Sequence, residues 1–192
     1  MTSLREYIFV KTGFKRCSSK VLAPDSLVAL YKFKAPKAAF FQYNMTLHVG
    51  HSSAGPVVGG CRISTFSSDI NLAFGDPNGS NAVWEDMHRT SYWKVVDYSL
   101  SVEVPSGGRR DFTWKGTHDV EGFAKKMDIQ HLKLVENTTG ETVARFIHEY
   151  SSYGKMGVLE IKRDFGGKEW DEIVILSALG LLKYVHLLVG LN

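Results

Sequence analysis

From Phe41 to Val49 apolar and polar residues alternate. Phe41, Tyr43, Met45, Leu47 and Val49 fall on one side, Gln42, Asn44, Thr46 and His48 on the other. Period two predicts a strand with one buried and one wetted face. Val96, Tyr98, Leu100, Val102 and Val104 repeat the pattern against Asp97, Ser99, Ser101 and Glu103. Pro105-Ser106-Gly107-Gly108 breaks that strand and Arg109 to Lys115 restarts it, which predicts a hairpin. A second hairpin runs from His131–Val135 through Asn137-Thr138-Thr139-Gly140 to Glu141–His148, and Val158–Lys162 forms another short strand. Gly140 supplies the positive φ that so short a connection needs. Further turn signals stand at Ala23-Pro24-Asp25, Gly55-Pro56, Gly59-Gly60, Gly75 to Gly79, Gly154 and Gly166-Gly167. Their spacing predicts many short antiparallel strands closing into a sandwich or barrel. No linker, low-complexity tract or strict repeat divides the chain, so residues 1–192 read as one domain.

The last segment departs from this rhythm. After Asp171-Glu172 the chain is apolar almost throughout from Ile173 to Leu191, with no proline. The two acids suit the positive end of a helix dipole. Nineteen residues from Asp171 to Val189 make about 28 Å of helix. Its apolar positions lie on every side, so it must be surrounded by protein or by lipid. A tail anchor wants about 20 clean apolar residues. Ser177, Lys183 and His186 interrupt this run, and a central lysine costs on the order of 3 kcal/mol in a bilayer. The preferred reading is a mainly β fold, an antiparallel β-barrel enclosing a hydrophobic C-terminal helix over residues 171–191. Lys183 and His186 are then expected near the barrel mouth or beside a polar neighbour.

Composition sharpens this only in places. Apolar residues at 44% and charged residues at 22% are those of a globular protein. Net charge is +3, but residues 1–40 alone carry eight basic and two acidic residues, leaving the remainder net acidic. That basic N-terminal segment suits an anionic surface, or simply keeps strands soluble. The acidic body argues against nucleic acid. Cys17 and Cys61 read as free thiols of a reducing compartment, and the N-terminus makes a poor secretory signal, so the expected setting is cytoplasmic. The sequons at Asn44, Asn78 and Asn137 read as turn or strand residues.

Three stretches carry a family resemblance: Leu132-Lys133-Leu134-Val135-Glu136 with Thr139 to Phe146, Gly157 to Ile161, and Trp170 to Leu179. Phe112-Thr113-Trp114-Lys115-Gly116-Thr117-His118 matches a mid-domain strand of the same proteins. From Arg110 onward the chain resembles the tubby C-terminal-like superfamily, on its phospholipid scramblase and LURP-one-related side, and in particular the small fungal members. The resemblance implies a barrel skewered by its C-terminal helix. It also implies phosphoinositide or membrane-lipid binding, or a scaffold role. The chain lacks the cysteine cluster and proline-rich tails of the scramblases, so the barrel alone carries over.

Motif chemistry is sparse. There is no HExxH, CxxC or GxSxG, and Pro56 stands where a Walker loop starting at Gly50 would need lysine. No cofactor and no metal is expected. Arg109 and Arg110, just past the Gly107-Gly108 tip, are the first candidate anion contacts, with Lys115, Lys125 and Lys126 extending a basic surface for a lipid headgroup. The alternative is a small-molecule pocket, for an enzyme or a biosynthetic accessory protein, near Trp84, His88, Trp93 and His118. The function expected from sequence is a non-enzymatic binding or scaffold module. Its ligand would be an anionic headgroup or a protein partner, met by peripheral rather than integral contact with the membrane.

Overall fold

A computed structural model describes residues 4–12, 18–23, 29–34, 42–64, 67–91, 93–94, 96–117, 131–149 and 154–188. Among these are twelve strands and one helix: β1 Arg5–Lys11, β2 Ser18–Leu22, β3 Ala29–Lys34, β4 Gln42–Val49, β5 Val57–Ser64, β6 Ile70–Phe74, β7 Val83–Arg89, β8 Tyr98–Glu103, β9 Arg109–Gly116, β10 Leu132–Glu136, β11 Thr142–His148, β12 Lys155–Ile161 and α1 Gly167–Leu188. Each strand pairs antiparallel with its neighbour in sequence, and β1 pairs with β12 to close the barrel. Closure joins the first and last strands, which in an open sheet would be free edges to protect.

The alternation read from the sequence sets what points inward. Met45 and Leu47 of β4, Tyr98, Leu100 and Val102 of β8, and Phe112 and Trp114 of β9 are all buried. The predicted hairpins stand where expected, and Gly140 takes φ +73° in the β10–β11 turn. One expectation fails. Gly59-Gly60 makes no turn but lies inside β5, opposite Leu47 and Thr46 of β4. A Cβ on Gly59 would stand 2.9 Å from Leu176 Cδ2 of α1, so the pair is kept small by close approach of the helix rather than by a bend.

Helix α1 occupies the lumen. Every residue from Trp170 to Leu182 is buried except Glu172, so burial runs round the whole cylinder as the unstriped sequence demanded. Strands from around the barrel touch it: β5 through Gly59 and Cys61, β6 through Ile70 and Leu72, β8 through the Tyr98–Tyr184 ring pair, and β9 through Phe112 against Trp170. Ser177 interrupts the apolar run because Trp114 Nε1 donates to its hydroxyl at 3.1 Å. The helix begins earlier than Asp171. Asp164 Oδ1 accepts the amides of Gly166 and Gly167 at 2.9 and 2.6 Å and so starts the helix at Gly167. Asp171 and Glu172 therefore sit past the first turn, where they face strands instead of the dipole. Lys183 is part-exposed, and the side chain of His186 lies outside the described residues. Among the described residues no helix is long and apolar enough to cross a membrane.

Polar contacts lock the helix to the N-terminal strands. Arg5 Nε and Nη2 donate to Asp171 Oδ1 at 3.0 and 2.7 Å, and the Tyr7 hydroxyl donates to Asp171 Oδ2 at 2.5 Å. Burial pushes the Asp171 carboxyl up, against the opposing pull of the Tyr7 hydroxyl and Arg5. Arg5 also holds Asp164, whose carboxyl it draws well below the ordinary range, and the Tyr31 hydroxyl donates to Glu172 at 3.0 Å. The basic N-terminal stretch thus contributes three barrel strands, one of which carries the cation that anchors the plug.

Two outcomes follow. Leu181→Ala, in the middle of the plug, lowers unfolding free energy in urea by about 2–5 kcal/mol, the cost of a buried leucine plus its cavity. Gly59→Leu, by contrast, adds volume where α1 already touches the wall and costs roughly 1–3 kcal/mol in the same measurement.

Candidate functional site

The residues singled out on β9 do not form one patch. Neighbours on a strand point to opposite faces. Arg110 shares the inward face of Phe112 and Trp114, and Arg109 shares the outward face of Lys115. Arg109 and Lys115 stand six positions apart, roughly 20 Å of strand. Lys125, Lys126 and His118 lie outside the described residues.

Arg110 belongs to the barrel's own packing. Its Nη1 donates to Glu136 Oε1 at 2.5 Å, and Arg163 Nη1 and the Thr139 hydroxyl donate to Glu136 Oε2 at 2.9 and 2.8 Å. Both guanidinium groups also lie on the ring of Phe165, at 4.9 and 4.8 Å, which in turn packs on Phe112 and Trp170. Glu136 is 1% exposed, so its carboxylate depends on these three donors for its hydrogen bonds. Burial alone would raise its pKa. The Thr139 hydroxyl and the two arginines outweigh it and hold the carboxyl below its ordinary value.

Arg109 is committed in another way. Its Nη1 donates to Glu85 Oε1 at 2.9 Å, its Nη2 pairs with the second Glu85 oxygen, and it also bonds the hydroxyl and carbonyl of Ser101. The Glu85 carboxylate, before all else, raises the Arg109 pKa. Arg109 lines an outer groove of about 320 Å³ together with Trp84, His88, Ser99, Ser101 and Asp111. The groove therefore brings together Trp84 and His88 of the alternative pocket. Trp93, 97% exposed, is not among its lining residues. Arg62 stacks over the Trp84 ring at 4.0 Å, and His88 faces Asp69 at 3.4 Å. With Glu85, Asp86 and Asp111 around one neutralised arginine, the lining does not favour an anion.

Strand register places an unbroken cationic row elsewhere. Lys115 of β9 stands directly opposite Lys133 of β10, and Lys133 opposite Arg145 of β11. The same row continues to Glu160 of β12 and Glu6 of β1. Arg145 Nε and Nη2 reach Glu160 Oε2 at 3.0 and 2.9 Å. Lys133 and Arg145 were not among the sequence candidates. Each occupies a polar position of a predicted hairpin arm, and only pairing the two arms with β9 reveals that the three cations align. A second like-charge pair joins Lys20 of β2 to Lys32 of β3. Lys32 donates to the Thr12 hydroxyl at 2.5 Å, and its pKa is lowered by partial burial first and by Lys20 second.

Among the described residues no group of three His, Cys, Asp or Glu side chains is placed to hold a metal ion. His48 is occupied by Thr46 and the Gly55 carbonyl. Cys61 is buried, and burial pushes its thiol far above the range of a reactive cysteine.

No family model matches the chain, and no curated protein matches it. Among solved structures it is similar to the X-ray structure of a protein from Arabidopsis thaliana, with a TM-score of 0.58 at 13% identity, covering 93% of this chain and 90% of that one. At that identity the likeness establishes the fold, and the barrel with its C-terminal helix fits the tubby-like layout.

The Glu136 cluster gives a pH outcome with a definite sign. Its folded-state pKa lies below the ordinary 4.5, so its stabilisation is present above about pH 4.5 and is lost as the pH falls through the folded value. Glu136→Gln is expected to lower stability at pH 7 by roughly 1–3 kcal/mol, less than a fully buried pair because both arginines keep partial exposure. It is also expected to flatten the acid limb of the stability curve, as read by urea titrations at a series of pH values.

Proposed function

We propose that the protein is a tubby C-terminal-like barrel of the scramblase and LURP-one-related side, acting as a non-enzymatic module that binds anionic phospholipid headgroups at a membrane surface. The observation that carries this reading is the Lys115–Lys133–Arg145 row. Like charges directly opposite on neighbouring strands repel. A phosphate between the two lysines turns that repulsion into paired attraction. Arg145, already tied to Glu160, fixes one end of the row in place. The Lys20–Lys32 pair offers a second contact of the same kind.

The filled lumen supports the same reading. With α1 inside, recognition falls to the outer wall and the loops, and an extended anionic surface is a ligand that an outer wall can meet. Contact is peripheral and reversible, at the cytoplasmic leaflet where anionic lipids concentrate.

The test is sedimentation of the full chain with phosphatidylcholine vesicles containing phosphatidylserine or a phosphoinositide. Each surface cation contributes about 1 kcal/mol near such a membrane. Lys115→Ala with Lys133→Ala is therefore expected to weaken partitioning by roughly 30-fold, and raising salt well beyond 0.1 M to weaken it further, as screening within about 10 Å requires. Binding equal on neutral and anionic vesicles, or untouched by the double substitution, would refute the reading.

A further inference from the structure

The barrel wall is not equally closed all round. The ladder between β7 and β8 covers only Arg89↔Tyr98, His88↔Ser99 and Met87↔Leu100, although β7 begins at Val83 and β8 continues to Glu103. On their other sides both strands stay paired, Val83 to Met87 with β6 and the whole of β8 with β9. Beyond Met87↔Leu100 the wall therefore parts into two facing strand edges. Arg109 closes the narrow end of this split. It clamps Glu85 and donates from Nη2 to the Ser101 carbonyl at 3.0 Å, a bond that a neighbouring strand would ordinarily supply.

Where the split widens lies a cavity of about 370 Å³. Val83 and Val102 flank it, Phe74 and Val58 contribute further apolar surface, and Ile173 of α1 lines it from within. Val83 is 55% exposed, uncommon for a large apolar side chain on this wall. Four carboxylates, Glu85, Glu103, Glu169 and Glu172, also line the cavity. Arg109 pairs with Glu85, and Lys168 at 3.5 Å and the Tyr31 hydroxyl hold Glu172, so the acidic border rests on Glu103 and Glu169. Two different demands meet here. The edges call for backbone N–H and C=O partners, and the apolar surface with its acidic border calls for hydrophobic and cationic side chains. An anionic headgroup satisfies neither, and a small amphiphile satisfies only the second.

We infer that the β7–β8 split is a strand-addition site for an extended peptide in which apolar residues alternate with lysine or arginine. An extended chain places alternate side chains on opposite faces, so one set enters the cavity while its backbone pairs with an exposed edge. The other set brings cations to the acidic border. This site is separate from the Lys115–Lys133 row, so failure of vesicle binding leaves it standing, and its own failure leaves the vesicle reading standing.

The experiment is fluorescence anisotropy with the full chain and a fluorescein-labelled, capped nonapeptide of alternating valine and lysine. Saturable binding is expected. It should weaken about ten-fold or more when glutamate replaces lysine in the peptide, and likewise on Glu169→Lys or Val83→Lys in the protein. Methylation of alternate backbone amides of the peptide, which blocks one edge, should abolish it; this arm uses the unaltered protein and does not depend on how the variants fold. Absence of saturable binding, or indifference to Glu169→Lys and Val83→Lys, overturns the proposal. Equal binding of the methylated peptide also overturns it and makes the cavity a site for cationic amphiphiles. A self-association abolished by Val83→Lys, with no peptide binding, overturns it in favour of a second copy of the chain.

Discussion

A barrel of twelve strands is too wide to close on its own inward side chains, so something must fill it, and here the filling is a helix. That requirement explains the most unusual stretch of the sequence. A helix apolar on every side is unstable in water, and a wide barrel lined by Met, Leu, Phe and Trp is unstable when empty. Each removes the other's exposed surface. The fit is tight enough that Gly59 and Gly180 have no room for a Cβ without crowding Leu176 or Cys61.

Burial alone does not fix the helix in depth or rotation, because apolar contacts are non-directional. The polar contacts do. Asp171 is held by Arg5 and Tyr7, Glu172 by Tyr31, and Ser177 by Trp114. These partners sit on β1, β3 and β9, so one helix is pinned to distant parts of the wall. Because β1 is also the strand that meets β12, the Arg5–Asp171 contact ties barrel closure to plug insertion. The charged residues of the N-terminal stretch are thus partly structural, which net charge by residue range could not reveal.

Much of the fold was legible because it rests on periodicity. The alternation in β4 and β8, the Gly107-Gly108 and Gly140 turns, and the unstriped helix each state their own environment. The glycines of β5 misled because local sequence does not distinguish a glycine that bends the chain from one that admits a neighbour. The candidate surface was legible only in part, for a related reason. Arg109 and Arg110 look like a pair along the chain and are separated by the pleat. Lys115 and Lys133 look unrelated along the chain and are joined by register. Adjacency across strands depends on which strands pair and in what frame, and a single sequence leaves that frame open for β9 and β10, which are joined by a long connection.

The two proposed surfaces also constrain one another. Lys115 lies near one end of β9, and the split opens beside the other, where Arg109 stands opposite Glu103. Roughly 20 Å of strand lies between, about two screening lengths at 0.1 M salt. An anionic membrane against the Lys115–Lys133 row would repel the carboxylates of the split were they at the same end. At this separation the repulsion is largely screened, so the proposed lipid contact and the acidic split are compatible on one barrel. If both proposals hold, the peptide site stays open to solvent while the opposite end of the barrel meets the membrane, and one rigid scaffold serves the two without conflict.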